Sequence, residues 1–290
     1  MDIFSETLTR LNVSGGPLMC VFTPLKGMSQ VVKRFFLDRS DARTVITMTL
    51  DDATFYSDER KHAIIEQYPE HELPARTKGI PTMGSGAVFP IDIDKLLIDP
   101  FEYPSHYLRV GGIDFGWHHP SAFAEVWWNR DDDAAYVVRV IRLRHQTPLQ
   151  QVEVVRQQMR DLPWMWPRDG RQQTLAGAGE SLAVQYRDCG LDLHHEPVTF
   201  PDGGVSVEAG LQMMLDRMRT QRLRVFRGQC DPFLEEARLF HRDEDGLLVK
   251  EGDDAISAVR YALMGLRHGR VRWSKGFFSQ QWKPPIQSFA

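Results

Sequence analysis

Four aspartates stand where this chain changes direction. Asp114 leaves the apolar run VGGID just before Gly116, Asp169 sits in WPRDG, and Asp253 and Asp254 open the segment DDAISAVRYAL. Carboxylates gathered from three distant places are what a hard divalent cation takes as ligands, because magnesium and manganese prefer oxygen donors and keep part of their water. Two such ions about 4 Å apart make an attacking water more basic and stabilise a departing oxyanion, which is what phosphodiester hydrolysis needs. Each acid also has a plainer job open to it. Asp114 could cap a turn, Asp169 could belong to an Asp-Gly turn, and Asp253 or Asp254 could be the N-cap of a helix. The order of the elements that carry them favours metal-dependent nuclease chemistry.

From residue 107 onward, YLRVGGIDFG, AFAEVWW and AAYVVRVIRL are β-rich runs separated by Gly, Pro and Asp-rich breaks, and they read as a meander of three strands. Pro148 opens the helix PLQQVEVVRQQMRDL, with Leu149, Val152, Val155 and Met159 at helical spacing. PWMWP reads as a short strand reaching Asp169, and Gly179-Glu180 leads into the helix ESLAVQYRDC, stopped by Gly190. LDLHHEPV reads as another strand and VEAGLQMMLDRMR as a third helix. A final helix, DDAISAVRYALMGL, places Ile256, Val259, Leu263 and Leu266 on one stripe. Three strands, helix, strand, helix, strand, helix is the ribonuclease H-like arrangement. It is an α/β fold whose mixed β-sheet is flanked by helices, and it brings the first strand, the fourth strand and the last helix together.

Upstream, SDERKHAIIEQY is a helix with Ser57 as its N-cap, after which Pro69, Pro74 and Pro81 interrupt regular structure. Residues 61–104 read as a connector, 105–270 as the nuclease domain and 271–290 as a flexible basic tail. The last 30 residues hold five Lys or Arg and no Asp or Glu.

The 290 residues are 42% hydrophobic, enough for a sizeable core. The three cysteines, Cys20, Cys189 and Cys230, show no paired spacing, which argues against a disulfide framework or a zinc site. No stretch approaches the roughly 20 apolar residues of a membrane helix, and no signal peptide is evident. A net charge of −4 argues against a uniformly basic nucleic-acid module but leaves room for a local track. Two arginine groups qualify: Arg139, Arg142 and Arg144, and the denser set Arg217, Arg219, Arg222, Arg224 and Arg227, expected to meet the phosphate backbone of double-stranded DNA. Glu180, after the turn AGAGE, is either a supplementary metal ligand or a partner for its helix's positive end. His118 and His119 follow Asp114 closely, and histidine can ligate metal or assist a proton transfer, but before Pro120 a His-Pro turn is the adequate explanation and metal contact the lesser one.

Four strings point to a family. VFTPLKGMSQVV (21–32), ELPARTKGIPTMGSGAVFP (72–90), GGIDFGWHHPSA and KEGDDAISAVRYAL resemble the large terminase subunit of tailed bacteriophages over residues 20 to 270. That subunit is the motor and nuclease that cuts concatemeric DNA and packages it. The resemblance implies a ribonuclease H-like endonuclease whose carboxylate cluster falls on Asp114, Asp169 and the Asp253/Asp254 pair. Asp114 would bridge two magnesium or manganese ions, Asp169 would bind one, and Asp253 or Asp254 the other. It also implies the portal and the small terminase subunit as partners, and the cytoplasm of the bacterial host as the location. One departure is visible: the chain holds no GxxxxGK[ST] phosphate loop. Residues 1–60 then read as the remnant of an ATPase domain in a truncated chain, with no ATP hydrolysis expected. Two other readings stay open: another ribonuclease H-like enzyme such as a resolvase or ribonuclease, and a non-catalytic prophage remnant that binds DNA or portal.

Overall fold

The computed structural model describes residues 3–12, 15–25, 30–36, 40–69, 72–81, 86–116, 119–171, 181–243 and 245–271. In chain order these form helices α1 (Ile3–Leu11), α2 (Gln30–Phe36), α3 (Asp58–Ile65) and α4 (Leu73–Lys78), then strands β1 (Leu97–Ile98), β2 (Leu108–Asp114), β3 (Ser121–Asn129) and β4 (Ala134–Leu143). Helix α5 (Pro148–Gln158), strand β5 (Trp164–Met165) and helices α6 (Leu182–Asp188) and α7 (Val207–Arg219) follow. Strand β6 (Leu223–Phe226) and helices α8 (Asp231–Leu239) and α9 (Asp254–Met264) complete the order. Contacts divide the chain into two units, residues 1–97 with 231–253, and residues 98–230 with 254–290. The second unit is therefore interrupted in sequence by α8 and the loop after it. The basic tail from residue 272 lies outside the described residues.

In the first unit, α3 starts where its sequence says. The Arg60 N–H donates to the Ser57 hydroxyl, and Asp58 and Glu59 sit in the first turn, where the helix's positive end favours acids. The end of α8 is tied down by Arg238 donating to Asp94, by the Val88 N–H donating to the Phe240 carbonyl, and by Phe89 against Phe240. Met19, Val21, Ile46, Met48 and Phe55 are all exposed, although their side chains are apolar.

The second unit is built on a sheet of order β1-β6-β4-β3-β2-β5. Strands β2, β3 and β4 form the antiparallel meander expected from their β-branched and aromatic alternation, with β5 parallel to β2 and β6 parallel to β4. One face carries Ile113 and Phe123, opposite each other in the β2–β3 register, and packs against Val152, Val155 and Met159 of the α5 segment and Tyr186 of α6. Helix α5 is set by a capping box between Thr147 and Gln150, with Pro148 at its first position. Helix α9 covers the other face, contacting β2, β3 and β4. That contact is close because the facing residues are small: a Cβ on Gly112 would lie 2.0 Å from the Ala258 carbonyl oxygen and 2.7 Å from the Ala262 nitrogen. Only glycine lets the helix backbone rest there.

Three elements and one residue depart from the sequence expectation. LDLHHEPV makes a single parallel bridge, Leu193 to Trp164, because its neighbour β5 is only two residues long. Strand β6 and helix α8 follow α7, in a stretch for which the sequence reading named no element. Leu149, expected on the buried stripe of α5, is 55% exposed in the helix's first turn. Cys20, Cys189 and Cys230 are free thiols. Among the described residues no helix is long and apolar enough to cross a membrane.

Candidate active site

Asp114 is the last residue of β2 and is half-buried. The turn after it is closed by a reciprocal pair of hydrogen bonds: the Gly116 N–H donates to Ser121 Oγ at 3.0 Å, and that hydroxyl donates to the Gly116 carbonyl at 2.8 Å. Ser121 is fully buried. A Cβ on Gly116 would meet the His119 and Pro120 carbonyl oxygens at 2.5 Å, so the tightness of this turn depends on glycine.

Because β5 runs parallel to β2, the two strands leave the sheet at the same end. Asp169 follows β5 in a short 3-10 turn, Arg168–Arg171. That turn presses on the residue beside Asp114, since a Cβ on Gly170 would lie 2.6 Å from the Phe115 ring. Asp254 arrives at the same end as the first residue of α9, almost buried, with its Oδ1 2.8 Å from His119 Nδ1. Asp253 immediately precedes the helix.

Electrostatics tie these groups together. Desolvation raises the Asp169 pKa above the ordinary carboxylate range, against hydrogen bonds from backbone N–H groups and the electrostatic influence of His119 and Arg260 nearby. The Tyr261 phenol is pushed up to about 12, by burial first and further by the carboxylates of Asp114 and Asp169, with Arg260 opposing. Tyr261 therefore stays protonated at neutral pH and can donate a hydrogen bond but not act as a base. Arg260 is almost buried; its guanidinium lies 4.4 Å from the Tyr261 ring centroid and its Nη1 lies 3.9 Å from Met264 Sδ.

An all-oxygen donor set from three segments suits a hard cation in its chemistry. The arrangement is incomplete as it stands: among the described residues no three His, Cys, Asp or Glu side chains come close enough together to hold a metal ion. Glu180 and His118 lie outside the described residues.

Comparison with known proteins agrees with this architecture. The family model described as Terminase RNaseH-like domain matches residues 111–266, and the model described as Terminase large subunit, T4likevirus-type, N-terminal matches residues 1–94. The chain belongs to the terminase large subunits. It is 44% identical over 270 residues to the large terminase subunit of Salmonella phage P22, covering 93% of this chain and 54% of that one. To the large terminase subunit of Enterobacteria phage LP7 it is 44% identical over 273 residues, covering 94% and 57%. This terminase chain thus spans about half the length of these relatives. The solved nuclease domain of the P22 large terminase superposes with a TM-score of 0.60 at 41% identity, over 64% of this chain and 95% of that one.

The arginines proposed for DNA in this terminase chain are not equivalent. Arg217 donates to the Asp133 carbonyl and to its Oδ1, both at 2.9 Å, and Arg222 donates to Asp133 Oδ2 at 2.7 Å. Burial pulls the Asp133 pKa up, but hydrogen bonds from Arg217 and Trp128 and the charges of Arg217 and Arg222 outweigh it, and the net shift is downward. Arg217 of α7 and Arg222 just beyond it thus both pair with Asp133 in the β3–β4 turn. Arg224 donates to Gln221, and Arg227 donates to Asp99 while remaining exposed. Arg219, also exposed, ends α7.

Reading the sequence alone missed Arg260 and Tyr261. The signal available was an arginine and a tyrosine side by side in an otherwise apolar helix, six and seven residues after Asp254.

Proposed function

We propose that the second unit is a metal-dependent endonuclease that cuts double-stranded DNA during phage genome packaging. The observation that carries the reading is the delivery of Asp114, Asp169 and Asp254 to one end of the sheet, with Asp114 and Asp169 both acting on the Tyr261 phenol. Asp114, Asp169 and Asp254, with Asp253 beside it and Glu180 as a supplement, would hold two magnesium or manganese ions. Bound there, such ions supply a more basic water and a counter-charge for the departing oxyanion.

The chain's own residues do the rest. The Gly116–Ser121 turn fixes the direction of Asp114, and the close seat of α9 on Gly112 fixes Asp254. Arg260 supplies a positive charge beside the carboxylates, and protonated Tyr261 offers a donor to an anionic oxygen. Arg219 and Arg227 are the exposed cations through which this unit would track the phosphate backbone, a contact that is independent of base sequence.

Membership of the family supports the portal and the small terminase subunit as partners and the host cytoplasm as the place of action. ATP hydrolysis is not expected of these residues, since the phosphate loop does not occur among them.

A second reading has one observation in its favour. The incomplete ligand set, with Asp254 held by His119, suits a protein that binds DNA or portal without cutting. Nicking of supercoiled plasmid in manganese, with and without EDTA, separates the two. Cleavage that EDTA abolishes supports the endonuclease, and binding without cleavage supports the second reading.

A further inference from the structure

His119 reaches across 135 positions of sequence to hold Asp254. Both ends of this contact are fixed. The histidine leaves a turn clamped by Gly116 and Ser121, in which a Cβ on Gly116 would lie 2.7 Å from His119 Nδ1. The aspartate begins a helix whose backbone rests on Gly112. The side chain of Asp254 is 8% exposed and that of His119 is 62% exposed. The ring is thus the solvent-facing cover of a carboxylate that is otherwise enclosed.

We propose that His119 is a positioning residue that latches Asp254 in the metal-free protein, and that a divalent cation gains this carboxylate only by taking it from the imidazole. The inference rests on the metal-site reading above. One of the acids delivered to this end of the sheet is thereby engaged by a neighbour that is easily displaced. The rival arrangement has His119 as the ligand and Asp254 merely orienting its ring, as carboxylates do behind many zinc-bound histidines. Hard cations favour the reverse, because they take oxygen over nitrogen. An exposed ring gives up its hydrogen bond at little cost, whereas a nearly buried carboxylate without a partner does not.

The two arrangements predict opposite results when the ring is removed. Manganese chloride alone would be titrated calorimetrically into the full chain as wild type, His119→Ala and His119→Asn, whose amide nitrogen can take the place of Nδ1. The latch predicts that His119→Ala binds manganese about three- to tenfold more tightly, the scale of one solvent-exposed charge-assisted hydrogen bond. It also predicts a lower melting temperature for that variant in EDTA and a deficit that closes in saturating manganese, with His119→Asn restoring both properties toward wild type. Unchanged affinity in His119→Ala, or weaker binding, overturns the latch while leaving the metal site standing. A wild-type chain that takes up no manganese overturns the metal-site reading and the latch with it.

Discussion

Gly112→Ala tests whether the sheet and the last helix meet as described. The added methyl carbon would sit 2.0 Å from the Ala258 carbonyl oxygen and 2.7 Å from the Ala262 nitrogen, where ordinary contact begins at 3.4 Å. Both obstacles are backbone, so no side-chain rotation relieves them, and α9 must withdraw by about 1.4 Å or tilt. Overpacking of this kind costs about 1–3 kcal/mol. For a domain of this size that lowers the melting temperature by roughly 3–10 °C. The effect on chemistry is larger than the effect on stability. Asp254 rides on α9, and a displacement of about 1 Å at a reacting group costs on the order of a hundredfold in rate. Thermal unfolding by circular dichroism and plasmid nicking in manganese measure the two effects. Gly16→Ala is the control, since its nearest neighbour would be 3.7 Å away. A Gly112→Ala protein that melts with wild type and cuts at the wild-type rate would refute the close seating of α9.

Three further outcomes are expected. Burial, then His194, Arg267 and His195, hold His268 below the ordinary histidine range. Its neutral form is thus favoured by folding, a contribution complete above the unfolded pKa of about 6.5 and lost as pH falls through the lower folded value. Wild type should lose thermal stability between pH 7 and pH 5.5 more steeply than His268→Gln, and parallel curves would dismiss the effect. The arginines should also divide. Arg219→Ala with Arg227→Ala should weaken DNA binding and reduce its salt slope by about one unit per contact, whereas Arg217→Ala should chiefly lower the melting temperature, by loss of about 1 kcal/mol of screened pairing to Asp133; equal effects on binding would restore the five-arginine track. Purified protein should show no saturable ATP hydrolysis and no rise in melting temperature with ATP, and turnover that survives repurification would contradict this.

Much of the second unit was legible because its local signals agree with its tertiary environment. The meander β2–β4 announces itself in runs of Val, Ile and aromatics, and α7 occupies the stretch read from VEAGLQMMLDRMR, with Ser206 capping its start. Strand β6 was hidden because Leu223–Phe226 is short and sits near arginines, two of which pair with Asp133, some 84 and 89 positions away. LDLHHEPV has a strand's composition, but β5 offers it two residues to pair with. In the site, Asp114 and Asp169 follow from the order of strands, since parallel neighbours end on the same side. The His119–Asp254 contact could not be read, because nothing local to either residue specifies a partner so far along the chain. Arg260 was obscure for a related reason: a buried arginine is expensive unless compensated, and Asp169, whose charge it meets, lies on another element.

If Asp114 belongs to a metal-dependent cutting site, Asp114→Asn abolishes cutting and leaves the fold in place. Supercoiled plasmid would be incubated in manganese with wild type and with the variant, and the fold of each checked by melting temperature in EDTA. Wild type should nick the plasmid and stop in EDTA. The variant should not nick above background, and should melt no lower than wild type, because it removes one of the two like charges that act on Tyr261. Nicking by Asp114→Asn at the wild-type rate would remove Asp114 from the cutting site.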